Sequence, residues 1–470
     1  MTATERQITR GPGGRLLTNT GVWSPDSEWI AYDTRSDAAG DRFDGNTIEM
    51  VHVRTGEVRE LYCSQHGAHC GVVTFHPRKW KVVFILGPEN PTPDWQYSAC
   101  HRQGVIVAPI GNRQSAIGNL DARDLTPPFT PGALRGGSHV HVWDAAGDWV
   151  SFTYEDHVLS TNQVGGASVP ASRGQPSARL AGTLAPPAKF LEATAANDVN
   201  LRNVGVSVPL SRSAGQQLRV PKTHPRNHDG SHFSVLVTRT TANPRPGSDE
   251  IKRAFEEAWV GTNGYTRRDG SRQRRALAFQ GHVVSANGET LSEVFIADLP
   301  EDMTTPGDGP LCGTETRMPF PPQGVVQRRL TFTAERKFPG LQGPRHWLRS
   351  SPDGSRIAFL MKDDAGIVQL WTVSPNGGAP APVTRNPWPV ASAFSWSPDG
   401  RSLAYVMDHS VCVTDAATGR TARLTPRADA AGAPRPEACV FSPDGKSIAY
   451  VRRIADAAQS FNQIFIAELH

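Results

Sequence analysis

The residues of this 470-residue chain best suited to pooled chemistry are His69, His139, His141, His232 and His346. Neutral imidazole is the commonest protein ligand for transition metals, and several imidazoles at equivalent places in a fold would make a nitrogen-rich pocket for a divalent ion, whether manganese-type, zinc, iron or nickel. No linear ligand motif such as His-Glu-x-x-His accompanies them, so the fold must bring them together. Arg135, Arg226 and Arg345 lie near them in sequence, and guanidinium forks grip carboxylates at two points. Tyr154, Asp156 and His157 add groups able to move protons. A metal beside arginines suits an acidic, uronate-containing oligosaccharide or another small carboxylated substrate. The ion would polarise the carboxylate and acidify the neighbouring C–H, so that a base could remove the proton for β-elimination.

The elements that must position these residues are repeated hairpins. Ser351-Pro-Asp-Gly354 has apolar alternation on both sides, with Pro and Gly placed as a tight turn requires. The word recurs at Ser24-Pro-Asp-Ser27, Ser285-Ala-Asn-Gly288, Ser397-Pro-Asp-Gly400 and Ser442-Pro-Asp-Gly445, with degenerate copies at His76-Pro-Arg-Lys79 and Asp144-Ala-Ala-Gly147. A second word marks an outer strand: Arg59-Glu-Leu-Tyr62, Arg123-Asp-Leu-Thr126, Arg328-Arg-Leu-Thr331, Ala381-Pro-Val-Thr384 and Ala422-Arg-Leu-Thr425. Repeats at about 40 residues predict an all-β fold, a seven-bladed β-propeller forming one domain over residues 1–470. The blades fall near 17–62, 66–126, 136–220, 228–333, 343–387, 390–426 and 434–470. The outer-strand word also occurs early, as Arg6-Gln-Ile-Thr9, so the N-terminal strand is expected to complete the last blade and close the ring.

In this register His139 and His346 begin innermost strands, His232 begins that of the fourth blade, and His69 lies just upstream in the second. Alternation would keep His69 and His141 on the channel side. The extra sequence at 35–46, 87–104, 155–200 and 240–275 reads as loops between second and third strands, all on one decorated face where function is expected. Residues 161–196 are poor in large apolar side chains and read as mobile. Residues 248–259 read as a helix, because Ile251, Phe255 and Trp259 recur every four positions.

Composition bounds the alternatives. The net charge of +4 arises from balanced Lys+Arg 49 and Asp+Glu 45, which gives no nucleic-acid footprint. No stretch reaches the length of a membrane span and the first residues lack a signal-peptide pattern, so a cytoplasmic protein is expected. The cysteines lack Cys-x-x-Cys spacing and read as free thiols. The same decorated face also suits a non-catalytic propeller that binds a protein or polysaccharide.

The hairpin words resemble TolB-type, WD40-like repeats. The words His69-Cys-Gly-Val-Val, Gly87-Pro-Glu-Asn, Leu134-Arg-Gly-Gly-Ser-His-Val-His and Pro344-Arg-His-Trp resemble the YidR family of bacterial propellers. The architecture and the innermost-strand histidines, here His139, His232 and His346, are fainter in their similarity to oligogalacturonate lyase. That resemblance implies a manganese-type ion on channel histidines and β-elimination of pectic oligomers.

Overall fold

The computed structural model describes residues 2–37, 40, 42–110, 113–162, 201–210, 216–344, 347–456 and 459–470. Seven four-stranded antiparallel sheets follow one another around a ring, making a seven-bladed β-propeller. From inner strand to outer, blade one is Gly14–Leu16, Trp29–Arg35, Thr47–His52 and Val58–Cys63. Blade two is Cys70–Phe75, Val82–Leu86, Gln103–Ile110 and Arg113–Asn119. Blade three is Gly136–Trp143, Val150–Asp156, Asn203–Pro209 and His232–Leu236. Blade four is Ala254–Trp259, Arg275–Val284, Thr290–Leu299 and Val326–Arg329. Blades five and six start at Arg349–Ser350 and Ser395–Trp396. Blade seven is Pro434–Phe441, Ser447–Asp456 and Gln459–Leu469, and its outer strand is Ala3–Gln7. The register Ala3↔Leu469 to Gln7↔Phe465 closes the ring as the displaced outer-strand word predicts.

The Ser-Pro-Asp turns fold as their chemistry dictates. In blades one, five, six and seven the Ser hydroxyl donates to the Asp carboxylate two residues on, at 2.6, 2.5, 2.6 and 2.6 Å. The same carboxylate accepts the backbone N–H of the residue two positions further on, at 3.0 Å. Adjacent blades are stapled by tryptophans in or just beyond the innermost strands. Trp23, Trp259 and Trp396 donate their indole N–H to the carbonyls of Val440, Val142 and Arg349 in a neighbouring blade. At the turn end of the ring a cavity of about 400 Å³ is lined by residues in or just beyond the innermost strands of all seven blades, among them Trp23, Phe75, Trp143, Trp396 and Phe441. Arg349 of blade five reaches Asn19 of blade one across this axis.

The innermost strands of blades two, three and four each carry a bulge at the same place. One extra residue lies between Gly71 and Thr74, His139 and Val142, and Phe255 and Ala258. Val72, Val140 and Glu256 there have φ of 59°, 57° and 54°. A β-branched residue in the left-handed region is strained, since its Cβ crowds the backbone.

The bulges overturn two expectations. Residues 254–259 are a strand rather than the end of a helix. Phe255 pairs with Gln280 and Trp259 with Leu277, three residues apart on a regular strand, so the inserted residue sends the two side chains to opposite faces and their four-residue spacing forms no single apolar stripe. His141, past the bulge, leaves the channel side. It is fully buried toward blade two, where its Nε2 lies 3.0 Å from Ser138 Oγ and beside Gly104.

The register of blade three differs as well. Its outer strand is His232–Leu236, paired as Pro209↔His232, so His232 does not begin an inner strand of blade four. The extra sequence of blade four is also misplaced by the expectation. It lies in the connections from first to second strand, 260–274, with a hairpin pairing Tyr265 with Gln273, and from third to fourth strand, 300–325, rather than between second and third strands. The segment expected to be mobile, 161–196, lies mostly outside the described residues.

Candidate metal centre on the decorated face

The connections between second and third strands of blades two and three meet beside one another. In blade two the connection ends in one 3₁₀ turn, Ala99–His101; in blade three it begins with the short helix His157–Asn162. These bring together Cys100, His101 and His157, whose Sγ and ring nitrogens all lie within 4.8 Å of one another. His101 Nε2 lies 3.1 Å from His157 Nδ1, and His101 Nδ1 lies 2.7 Å from the Gln96 carbonyl. A carbonyl can only accept, so Nδ1 carries the proton and Nε2 presents its lone pair to His157.

Trp95 forms the wall of this cluster. Its ring stacks on His101 at 3.7 Å and 19°, and meets His157 edge-on at 4.7 Å. The guanidinium groups of Arg123 and Arg226 lie 5.6 and 5.8 Å from the Trp95 ring, and His224 lies 6.1 Å away.

The electrostatics favour ligand-ready forms. Burial, with the charges of Arg123 and Arg226, pushes the His101 pKa down, only partly opposed by its bond to Gln96. Burial works against a Cys100 thiolate, but hydrogen bonds with His157 and Ser98 outweigh it and draw the thiol below its ordinary value. His224 is held down by burial and by Arg226 and Arg123.

The residues singled out from sequence fall in several places. His157 belongs to the cluster. His139 is buried on the inner strand of blade three with Nδ1 unpaired; burial, then Arg102 and Arg202, hold its pKa well below normal. His69 is half-buried before the inner strand of blade two, 6.4 Å from the Tyr97 ring. His141 packs between blades and His232 stands on an outer strand, 6.3 Å from Trp143. Among the described residues the channel histidines do not gather as expected: a bulge turns His141 aside, and blade three claims His232. His346 and Arg345 lie outside the described residues.

Arg135 and Tyr154 are occupied by structure. The Arg135 guanidinium donates to Asp156 at 2.8 Å and to the carbonyls of Thr314 and Arg317, the latter at 2.7 Å. The Tyr154 hydroxyl donates to the same Asp156 carboxylate at 3.0 Å. Burial raises both the Tyr154 and Asp156 pKa values. Arg226 is half-buried and donates to the carbonyls of Glu89 and Asn90 at 2.7 and 2.9 Å. Arg102 is the freer guanidinium: it lies over Tyr97 at 5.2 Å and its Nε has no partner.

Sequence reasoning missed Cys100, His101, Trp95 and His224. The available signal was the adjacent Cys100-His101 pair inside a decorated-face insertion, with His157 in the equivalent connection of the next blade.

A family model described as a protein of unknown function, DUF3748, matches residues 69–228, a stretch containing the whole cluster. An uncharacterized protein of Escherichia coli (strain K12), YidR, is 46% identical over 440 residues, 93% of this chain and 92% of that one. Among solved structures, an oligogalacturonate lyase in complex with manganese aligns with TM-score 0.52 and 10% identity, covering 100% of this chain and 97% of the other. An oligogalacturonate lyase from Vibrio parahaemolyticus aligns with TM-score 0.51, also at 10% identity and with the same coverage. At that identity the likeness is one of fold.

Proposed function

The chain belongs to the YidR family, and from that premise we propose that it is a divalent-metal-dependent enzyme acting on acidic carbohydrate at the decorated face. The reaction is β-elimination within uronate-containing oligosaccharides. The observation that carries this reading is the Cys100–His101–His157 cluster, three metal-type donors converging on the loop-bearing face of a rigid ring.

The donors fit an ion: two imidazoles and a thiol, with His101 Nδ1 already committed to a carbonyl in the manner of a metal-bound histidine. A bound ion supplies Lewis acidity toward the substrate carboxylate. The remaining work falls to side chains. Arg102, with its unpaired Nε, and half-buried Arg226 offer positive charge for the uronate carboxylate. His224 Nδ1 accepts the Arg226 backbone N–H at 3.1 Å, so its neutral ring keeps the proton on Nε2, suited to delivery to the departing glycosidic oxygen. Trp95 shields the imidazoles from water.

The test is incubation of metal-loaded protein with a panel of uronate-containing oligosaccharides, following ultraviolet absorbance of the new conjugated double bond. Turnover that His157→Ala abolishes supports the reading. Absence of product across the panel, with metal bound, overturns it in favour of a binding propeller.

A further inference from the structure

The donor set also speaks to which ion is held, a question that rests on the reading above only in taking the cluster as a metal site. We propose that Cys100 ligates as a thiolate and that the centre selects a thiophilic ion of the zinc class, in a three-ligand site with one open position.

Sulfur decides the class. Thiolates favour zinc and other soft or borderline ions, whereas manganese is served by carboxylate, carbonyl and water oxygens. Among the described residues, no Asp or Glu joins the cluster. Two nitrogens and one sulfur, with no fourth protein donor among the described residues, is the pattern of a catalytic zinc site rather than a closed structural one.

The geometry is close to loaded. Ligand nitrogens of a tetrahedral zinc site stand about 3.3 Å apart, given Zn–N near 2.0–2.1 Å. His101 Nε2 and His157 Nδ1 are separated by 3.1 Å, so an ion could replace their hydrogen bond with little movement. The outer support is in place. Gln96 fixes the His101 tautomer, Trp95 fixes its plane, and Ser98 Oγ lies 3.3 Å from Cys100 Sγ. The centre packs against the inner strand of blade three, where Gly137 lies on the backbone of Ala99 and Cys100, yet it draws on none of the channel histidines expected from sequence. It is built on two outer connections, and His139 takes no part in it.

The experiment uses the full chain, purified without chelating resin from medium containing both manganese and zinc, with metal content measured by mass spectrometry. One zinc-class ion per chain is expected. Replacement by cobalt(II) should then give the intense near-ultraviolet sulfur-to-cobalt charge-transfer band. Cys100→Ser should remove that band and weaken binding by at least the about 10- to 100-fold that loss of an outer-shell partner costs, with the melting temperature of the metal-free protein unchanged. Stoichiometric manganese, a cobalt spectrum unaltered in Cys100→Ser, or no bound ion would each overturn the proposal. Zinc with a thiolate band but no elimination on uronates upholds this centre and sinks the lyase reading. Manganese-dependent elimination that survives Cys100→Ser does the reverse.

Discussion

Blades one, five, six and seven share one turn, in which a Ser hydroxyl and an Asp carboxylate close the hairpin at nearly identical distances. Blades two, three and four use three different solutions. His76 Nδ1 accepts the N–H groups of Arg78 and Lys79, Asp144 accepts those of Asp148 and Trp149, and blade four inserts a hairpin. These are also the three blades whose innermost strands bulge through left-handed Val72, Val140 and Glu256. The cluster of Cys100, His101 and His157 sits on blades two and three. Regular repetition supplies a scaffold, and departures from it gather where side chains must be re-aimed, which is how strain tends to be distributed around sites.

The contrast can be attacked most forcefully at Arg135. It is 1% exposed and binds Asp156 and two carbonyls of residues 314–317. Arg135→Ala should cost about 3–5 kcal/mol, because it leaves a buried carboxylate uncompensated; a fall in denaturant midpoint checks this. A change under about 1 kcal/mol would show that the irregular half is more plastic than its packing implies.

A slightly smaller effect is expected at Glu257 on the bulged strand of blade four. Burial raises its pKa from 4.5 to about 7, opposed by the hydroxyl of Thr153 at 2.8 Å, a weaker hydrogen bond from Ser151 and the charge of Arg349. A raised carboxyl favours the folded state while protonated, so its stabilising share is complete below about pH 4.5. That share is lost as pH rises toward 7 and beyond. The loss is about 3 kcal/mol between pH 4.5 and 8. Glu257→Gln should flatten the pH dependence of stability over that window by this amount, measured by denaturation at each pH.

In the regular half, Asp399→Ala removes the acceptor for Ser397 Oγ and the Arg401 N–H. It should cost about 1 kcal/mol and leave metal content unchanged. The smallest effect has the opposite sign. Val140→Gly relieves a left-handed β-branched residue and should stabilise by a few tenths to about 1 kcal/mol, read as a rise in melting temperature. A destabilised Val140→Gly would mean that side-chain packing there outweighs backbone strain.

Most of the ring was legible in the sequence because turns and outer strands repeat as words. The outer-strand word locates the fourth strand in blades one, four, five, six and seven. It misleads at Arg123-Asp-Leu-Thr126, which follows the outer strand Arg113–Asn119. There Arg123 instead bonds the carbonyls of Gly136, His101 and Arg102, behind the Cys100–His101–His157 cluster. The site was less legible for a physical reason. A bulge shifts alternation by one residue without any compositional mark, so His141 was assigned to the wrong side. Cys100, His101 and His157 also come from two connections, 56 residues apart between the histidines, and only blade-to-blade packing unites them.

Blade seven has a consequence for the order of assembly. Its outer strand, Ala3–Gln7, pairs with Gln459–Leu469 near the other end of the chain. A ribosome therefore delivers the first strand long before its partner exists, and six blades can form while the seventh waits. Until the late strand emerges, the early one is an unpaired edge, open to another nascent chain. The joint is also non-covalent, held by a ladder, the Arg6–Glu468 ion pair and the Thr9–Gln463 hydrogen bond. The ring thus has a latch, one that closes only when two strands far apart in the sequence meet.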